Sequence, residues 1–262
     1  MKKYWHLFWH FRKIQLMRMM EYRGDFLFWA LVSVMWTLFN FLFFTLLFTV
    51  TDQIAGWNQT ELYAFLAIYT MIDALTWSFF AHNMWEYKRA IYQGNLGTIL
   101  LKPVNTIAIL LTQTNSYNNL PRFFIGLGVL IWALNDLGVT PSMGQVILFA
   151  VFFCVMCAFL YTGWFFTTTW AFWTERLDNI TEIMPSLRSL YEYPKQVYTG
   201  VLAQAFVSIF PIALLITTPA EILLGRFSWF DVLYFTGFTI AFMVVTYHFF
   251  YFSIKKYTSV GN

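Results

Sequence analysis

The chain has 262 residues, of which 59% are hydrophobic, 22% aromatic and only 11% charged, with a net charge of +3. A soluble domain carries roughly a quarter charged residues, so this composition excludes a water-facing globular surface. The expected class is an all-α, multi-pass membrane protein whose residues 1–262 form one transmembrane domain.

Residues 1–24 interleave Trp5, Phe8, Trp9, Phe11 and Met17 with Lys3, His6, His10, Lys13 and Arg18, and Arg12 adds to the basic residues crowding this end. That mixture predicts an amphipathic helix in the membrane interface, rings at headgroup depth and cations toward lipid phosphates. His6 and His10 have the i, i+4 spacing of a metal pair. No third ligand follows nearby, so the anchor reading is preferred. There is no small-residue cleavage site of a signal peptide.

Apolar runs then predict spans over about 26–49 and 62–85. A third is strong only over 120–134, after a polar start with Thr112, Gln113, Asn115, Asn118 and Asn119. A fourth covers about 146–166. Beyond it two readings stand. Residues 201–224 are apolar but broken by Pro211 and Pro219, and they serve either as the fifth span or as a re-entrant hairpin. In the second case 167–190, with Glu175, Arg176, Asp178, Glu182 and Arg188, is a protein-facing fifth span. Irregular backbone at membrane depth needs such cover. The last span is about 230–252.

Basic residues crowd the N-terminus and recur at Lys255 and Lys256, while the connectors 51–61 and 135–145 have none. The positive-inside bias therefore places both termini in the cytoplasm of a cell membrane. Cys154 and Cys157 read as small packing residues inside an apolar helix. Asn58-Gln59-Thr60 is a formal glycosylation sequon to which no function is attached.

Ionisable groups inside spans are functional candidates because their burial is expensive. Asp73, near the middle of the second span beside Thr70, Thr76 and Trp77, reads as a carboxyl hydrogen-bonded across helices or as a pathway residue. His248, Glu221, Glu175 and Arg176 complete the candidate pathway or intramembrane polar set. No G-x-S-x-G elbow, H-E-x-x-H pair or Walker A ending is present. The chain is therefore expected to have no catalytic residue, bound metal or cofactor of its own.

Between the second and third spans lies W-E-Y-K-R-A-I-Y-Q-G-N-L-G-T-I-L-L-K-P-V, residues 85–104. Glu86, Lys88 and Arg89 make a polar face and Ala90 and Ile91 an apolar one. Gly94 suits a helix stop, and Asn95 can cap a second turn with Leu96, Ile99 and Leu100. Lys102 and Pro103 close the segment. It reads as a surface connector or as a mechanical handle joined to two spans.

The run I-Y-Q-G-N-L-G-T-I-L-L-K-P-V at 91–104 resembles the ABC-2 type permeases of ATP-binding cassette exporters, in their compact branch. Tyr193-Pro194 with Tyr198, F-P-I-A at 210–213 and T-P-A-E-I-L-L-G at 218–225 match in order and spacing. The resemblance implies six transmembrane helices, an interfacial helix at 1–24 and a coupling-helix loop at 86–103. It also implies a re-entrant external region at 193–225, which favours 167–190 as the fifth span. The implied partners are a second permease, like or unlike, a pair of cytoplasmic ATPases holding ATP and Mg, and membrane lipids, with no nucleic acid. The implied activity is export of an amphiphilic or hydrophobic drug, peptide or lipid-like cargo by alternating access. The rival readings are a lipid-modifying membrane enzyme using Asp73, His248 or Glu221, and a non-catalytic assembly or immunity factor.

Overall fold

A computed structural model describes residues 2–174, 179–201 and 209–257, with side chains from Trp9 onward. Among the described residues the regular structure is helical: α1 (Lys2–Glu21), α2 (Arg23–Leu47), α3 (Gln59–Leu75), α4 (Ala81–Tyr92), α5 (Leu96–Leu100), α6 (Thr106–Thr112), α7 (Leu120–Asp136), α8 (Met143–Thr169), α9 (Ile183–Ser186), α10 (Leu214–Leu223) and α11 (Trp229–Ile254).

Four of these are long and apolar enough to cross a membrane: Arg23–Leu47, Gln59–Tyr92, Met143–Phe172 and Trp229–Ile254. The second is α3 and α4 joined through a π-helical turn, Thr76–Phe80. Its 34 residues make a rod of about 51 Å against a hydrocarbon core of ~30 Å. The rod is thus longer than the core is thick, and one of its two ends runs into the 86–103 segment.

Two helices begin with reciprocal capping boxes. Asn58 Oδ1 accepts from Glu61 N–H at 2.8 Å while Asn58 N–H donates to Glu61 Oε2 at 3.1 Å. Ser142 and Gln145 do the same for α8. Each box satisfies two helix-end donors, which gives the Asn58 of the sequon a structural role. We refer to this side as the capped end and to the other as the elbow end.

The core centres on α3, whose residues 64–74 are all buried. Lipid is as apolar as leucine, so close packing rather than water exclusion holds such helices together. Gly126 on α7 shows how close. A Cβ there would sit 2.8 Å from the Ala67 carbonyl oxygen and 2.9 Å from Met71 Cγ. Gly163 on α8 likewise leaves room for Met184, whose Cε would lie 2.7 Å from an added Cβ.

The expected third span is two pieces, α6 and the 17-residue α7, separated by residues 113–119, of which Tyr117–Asn119 form a 3-10 turn. Its polar start now has a cause, because broken backbone needs partners. Asn83 Nδ2 donates to the Leu111 carbonyl at 3.0 Å, and its Oδ1 accepts from Thr114 N–H at 2.9 Å. Tyr161 Oη also donates to Leu111, and Ser116 N–H reaches the Ser78 carbonyl on the π turn at 2.8 Å.

Three expectations need correcting. The described part of 167–190 is not a spanning helix. Beyond α8 it breaks into 3-10 turns at Trp170–Phe172, Ile180–Glu182 and Leu187–Leu190, with α9 between. It still runs from Thr169, beside Tyr87, toward Lys195 at the capped end, and Trp164 Nε1 donates to the Thr181 carbonyl at 2.7 Å on the way. Protein cover allows irregular backbone to take that route. Arg12 does not turn to lipid phosphates; it is 8% exposed, with its guanidinium 5.4 Å from the Phe79 ring centre. Cys154 faces outward, and Cys157 alone of the pair packs on the core. As for 201–224, Pro211–Leu223 is a short apolar helical stretch whose α10 residues are all buried, too short to cross alone.

Candidate functional site

Three places gather the residues singled out above. The first is the elbow. α4 ends at Tyr92, and Gly94 turns the chain at φ +70°, a conformation costly for any residue with a Cβ. Its N–H bonds the Ile91 carbonyl at 3.1 Å. Asn95 stands at the N-cap of α5, but its side chain makes no capping bond; Nδ2 donates to Gln93 instead, at 3.3 Å. The reason is backbone geometry, since Asn95 has helical φ and ψ where a capping residue is usually extended.

Tyr87, Ala90, Leu96 and Ile99 are buried, with Ile91 and Leu100 packed partly behind them. Tyr87 stacks on Phe165 at 5.1 Å and shares a 3.2 Å hydrogen bond with Thr169 of α8. Tyr257, just past α11, accepts through its hydroxyl oxygen from Gly97 N–H at 3.2 Å. The elbow is thus joined to α8 and α11 as well as to the two spans expected from sequence. On its outer face Glu86 and Arg89 pair at 2.8 Å. Lys102 and Pro103 are exposed, and Leu101, which sequence reasoning passed over as an anchor, is 87% exposed at the tip.

The second place is the buried charge cluster. Asp73, 2% exposed, accepts from Arg122 Nη2 at 2.7 Å and lies 3.7 Å from Arg188 Nη1. Arg122 also donates to Thr37 Oγ1 at 2.8 Å, and Arg188 Nε donates to Tyr69 Oη with its guanidinium over the Tyr69 ring. Four parts of the chain, α2, α3, α7 and the turn at 187–190, meet through one carboxylate. Sequence reasoning missed both arginines as its partners. The available signal was Arg122 itself, a lone cation opening an apolar run, which carries the same intramembrane cost as Asp73.

The third place is at the capped end. Glu221 does not face open space: Lys195 Nζ lies 3.0 Å from it and Gln196 Nε2 donates to it at 2.9 Å. Lys195 also reaches Asp231, in the first turn of α11, at 2.5 Å. Burial alone would lower the Lys195 pKa, but the hydrogen bonds and charges of Asp231 and Glu221 reverse that and hold it above its ordinary value. Gln196 accepts from Trp57 Nε1 at 3.2 Å, and Arg226 covers the Trp57 ring at 4.2 Å while pairing with Glu61 at 2.8 Å. The 193–198 turn, α10, α11 and the 54–61 connector are thereby pinned together.

His248 joins none of these; it is exposed on α11 beside Tyr247. Glu175, Arg176 and Asp178 lie outside the described residues, as does the side chain of His6.

A cleft of about 1110 Å³ runs along one face of α2, between Tyr22, Trp29, Trp36 and Asn40 on one side and Trp77, Trp85 and the 185–192 turns on the other. Arg122 and Arg188 line it from the charge cluster.

Comparison with protein families matches residues 34–261 to the model described as ABC-2 family transporter protein. Comparison with curated proteins and with solved structures finds no significant match. The matched stretch takes in the elbow, the charge cluster and the capped end, nearly nine-tenths of the chain in about one continuous block, and on that ground the chain belongs to the ABC-2 transporter family, as a membrane permease component of an ATP-binding cassette transporter that works with an ATP-binding partner.

Proposed function

We propose that this chain is one half of an exporter permease in the cell membrane, with both termini cytoplasmic. Two such halves, like or unlike, pair, and separate ATPase subunits holding ATP and Mg drive export of an amphiphilic or hydrophobic cargo by alternating access. The elbow is the docking element for the ATPase. One observation carries this reading: the elbow's apolar face is sealed against α8 and the last helix, while Leu101 and Lys102 are exposed at its tip. A sealed root and an apolar tip are what a lever needs, because force on the tip is passed to rods that cannot slip against it.

The enzyme reading is weakened by the bonding of Asp73. Both carboxylate oxygens face arginines, so the group is engaged in ties between segments of the bundle rather than presented to a substrate. Glu221 is engaged by Lys195 and Gln196, and His248 stands exposed beside Tyr247, apart from both carboxylates.

The test is a complex of the permease with its ATPase, reconstituted in vesicles, carrying Leu101→Asp. Transport is expected to fall by at least about tenfold, as for loss of a central apolar anchor, while membrane insertion and thermal stability are unchanged. Gly94→Pro, which removes the Gly94 N–H and the positive φ, is expected to uncouple as well. Unchanged coupling in both variants would overturn the docking assignment.

A further inference from the structure

The cleft beside α2 holds an unusual side chain. Asn115, between α6 and α7, is 4% exposed and lines the cleft, yet among the described residues neither its Nδ2 nor its Oδ1 has a hydrogen-bond partner. A buried primary amide with both ends open is costly, and replacing it by an apolar group of similar shape is ordinarily neutral or stabilising. A buried amide without a partner calls for one, and its place on the cleft points to a partner that arrives.

The surroundings narrow what the partner is. Trp29, Trp36, Trp77 and Trp85 line the same space, offering flat faces and indole N–H groups suited to a ligand that is apolar at one end and hydrogen-bonding at the other. The charges cancel. Arg122 and Arg188 are drawn to Asp73, while Arg18 shares the cleft with Asp25 and Glu192. A site for an anionic head leaves arginines in excess, and a site for a cation leaves carboxylates in excess. Neither is found. The volume, about 1110 Å³, is at or above the ~300–1,000 Å³ of pockets that enclose drug-sized ligands.

We infer that the cleft is the cargo site and that it takes an amphiphile with an uncharged, hydrogen-bonding head, of glycosyl or amide type, whose head meets the Asn115 amide and whose tail lies along Trp29 and Trp36. The inference rests on the exporter reading for the word cargo, but the binding site itself does not.

The experiment uses three photoactivatable probes with one diazirine-bearing alkyl chain and three heads: glucosyl, sulfate and trimethylammonium. They are applied to the full chain in lipid nanodiscs without any ATPase, and labelled peptides are mapped. Saturable labelling of cleft peptides by the glucosyl probe, displaced by unlabelled alkyl glucoside and alkyl amide, is expected. The two charged probes are expected to label at least about tenfold less, the difference a lost or mismatched polar contact makes. Asn115→Leu is expected to keep or raise the unfolding temperature while reducing glucosyl labelling by about tenfold. Trp36→Ala, at an exposed position that will not unfold the chain, is expected to weaken labelling by all three heads. Equal labelling by the three heads, or full glucosyl labelling of Asn115→Leu, would overturn the inference. So would a Trp36→Cys variant that forms a disulfide-linked dimer in full and loses labelling, since a second copy would then fill the face. Repeating the experiment with the ATPase complex locked in its ATP-bound state separates the two readings. Head-selective labelling that ignores the ATP state keeps the site and sinks the exporter assignment.

Discussion

The two ends of this bundle are held by opposite means. At the elbow end, Tyr87 packs against Phe165 of α8 and Phe250 of α11, Leu96 and Ile99 are buried in the same core, and hydrogen bonds at Tyr87 and Gly97 add to the packing. At the capped end, Lys195, Glu221, Asp231, Arg226 and Glu61 hold four segments through ion pairs of 2.5–3.0 Å. Apolar packing is insensitive to salt and fails only when atoms are removed, so it suits a part that must transmit force as a solid body. Ion pairs near water are screened and can be exchanged one for another, so they suit a part that must open. The charge cluster at Asp73 lies between the two and ties the intervening helices together.

The contrast can be broken at either end. The largest effect is expected from Tyr87→Ala, which empties a fully buried ring site at the elbow and should destabilise by about 3 kcal/mol. Thermal unfolding in detergent checks it, and the loss should be the same at low and high salt. Lys195→Met at the capped end should be milder, about 1–2 kcal/mol, because the lysine and Asp231 keep some solvent, Glu221 keeps its bond from Gln196, and a part-exposed pair is worth less than a sealed one. Here added salt should shrink the difference between wild type and variant. The Lys195 pKa is raised above the ordinary lysine value of 10.5, so its contribution is present in full below that value. It should be lost only as pH rises through the higher folded value; a pH series of unfolding temperatures that fell between 6 and 9 because of this residue would contradict the assignment. The smallest effect belongs to Arg89→Ala. Its pair with Glu86 is mostly solvated, so a change of about 0.3 kcal/mol is expected.

Much of this was legible from residues alone. Apolar run lengths located α2, α8 and α11, and the order of short motifs pointed to the ABC-2 transporter family across nearly the whole chain. Gly94 was legible as a stop because positive φ favours glycine. Asp73 stood out by cost, but its partners lie 49 positions away at Arg122 and further still at Arg188, and no local periodicity connects them. The 167–190 segment misled for a related reason. Its polar residues suggested a helix turned toward protein, whereas Arg188 and Thr181 act as isolated ties from turns. Leu101 was hidden because an apolar residue beside buried neighbours looks like core until the fold shows it at a tip.

The most direct measurement places a photocrosslinking amino acid at position 101 on the elbow tip, and at position 143 on the capped end as a control. Both native residues are well exposed, at 87% and 75%. With the ATPase present, irradiation should join the ATPase to position 101 and leave position 143 unlinked. Capture at 143, or none at 101 in a complex that still couples hydrolysis to transport, would contradict the elbow's role.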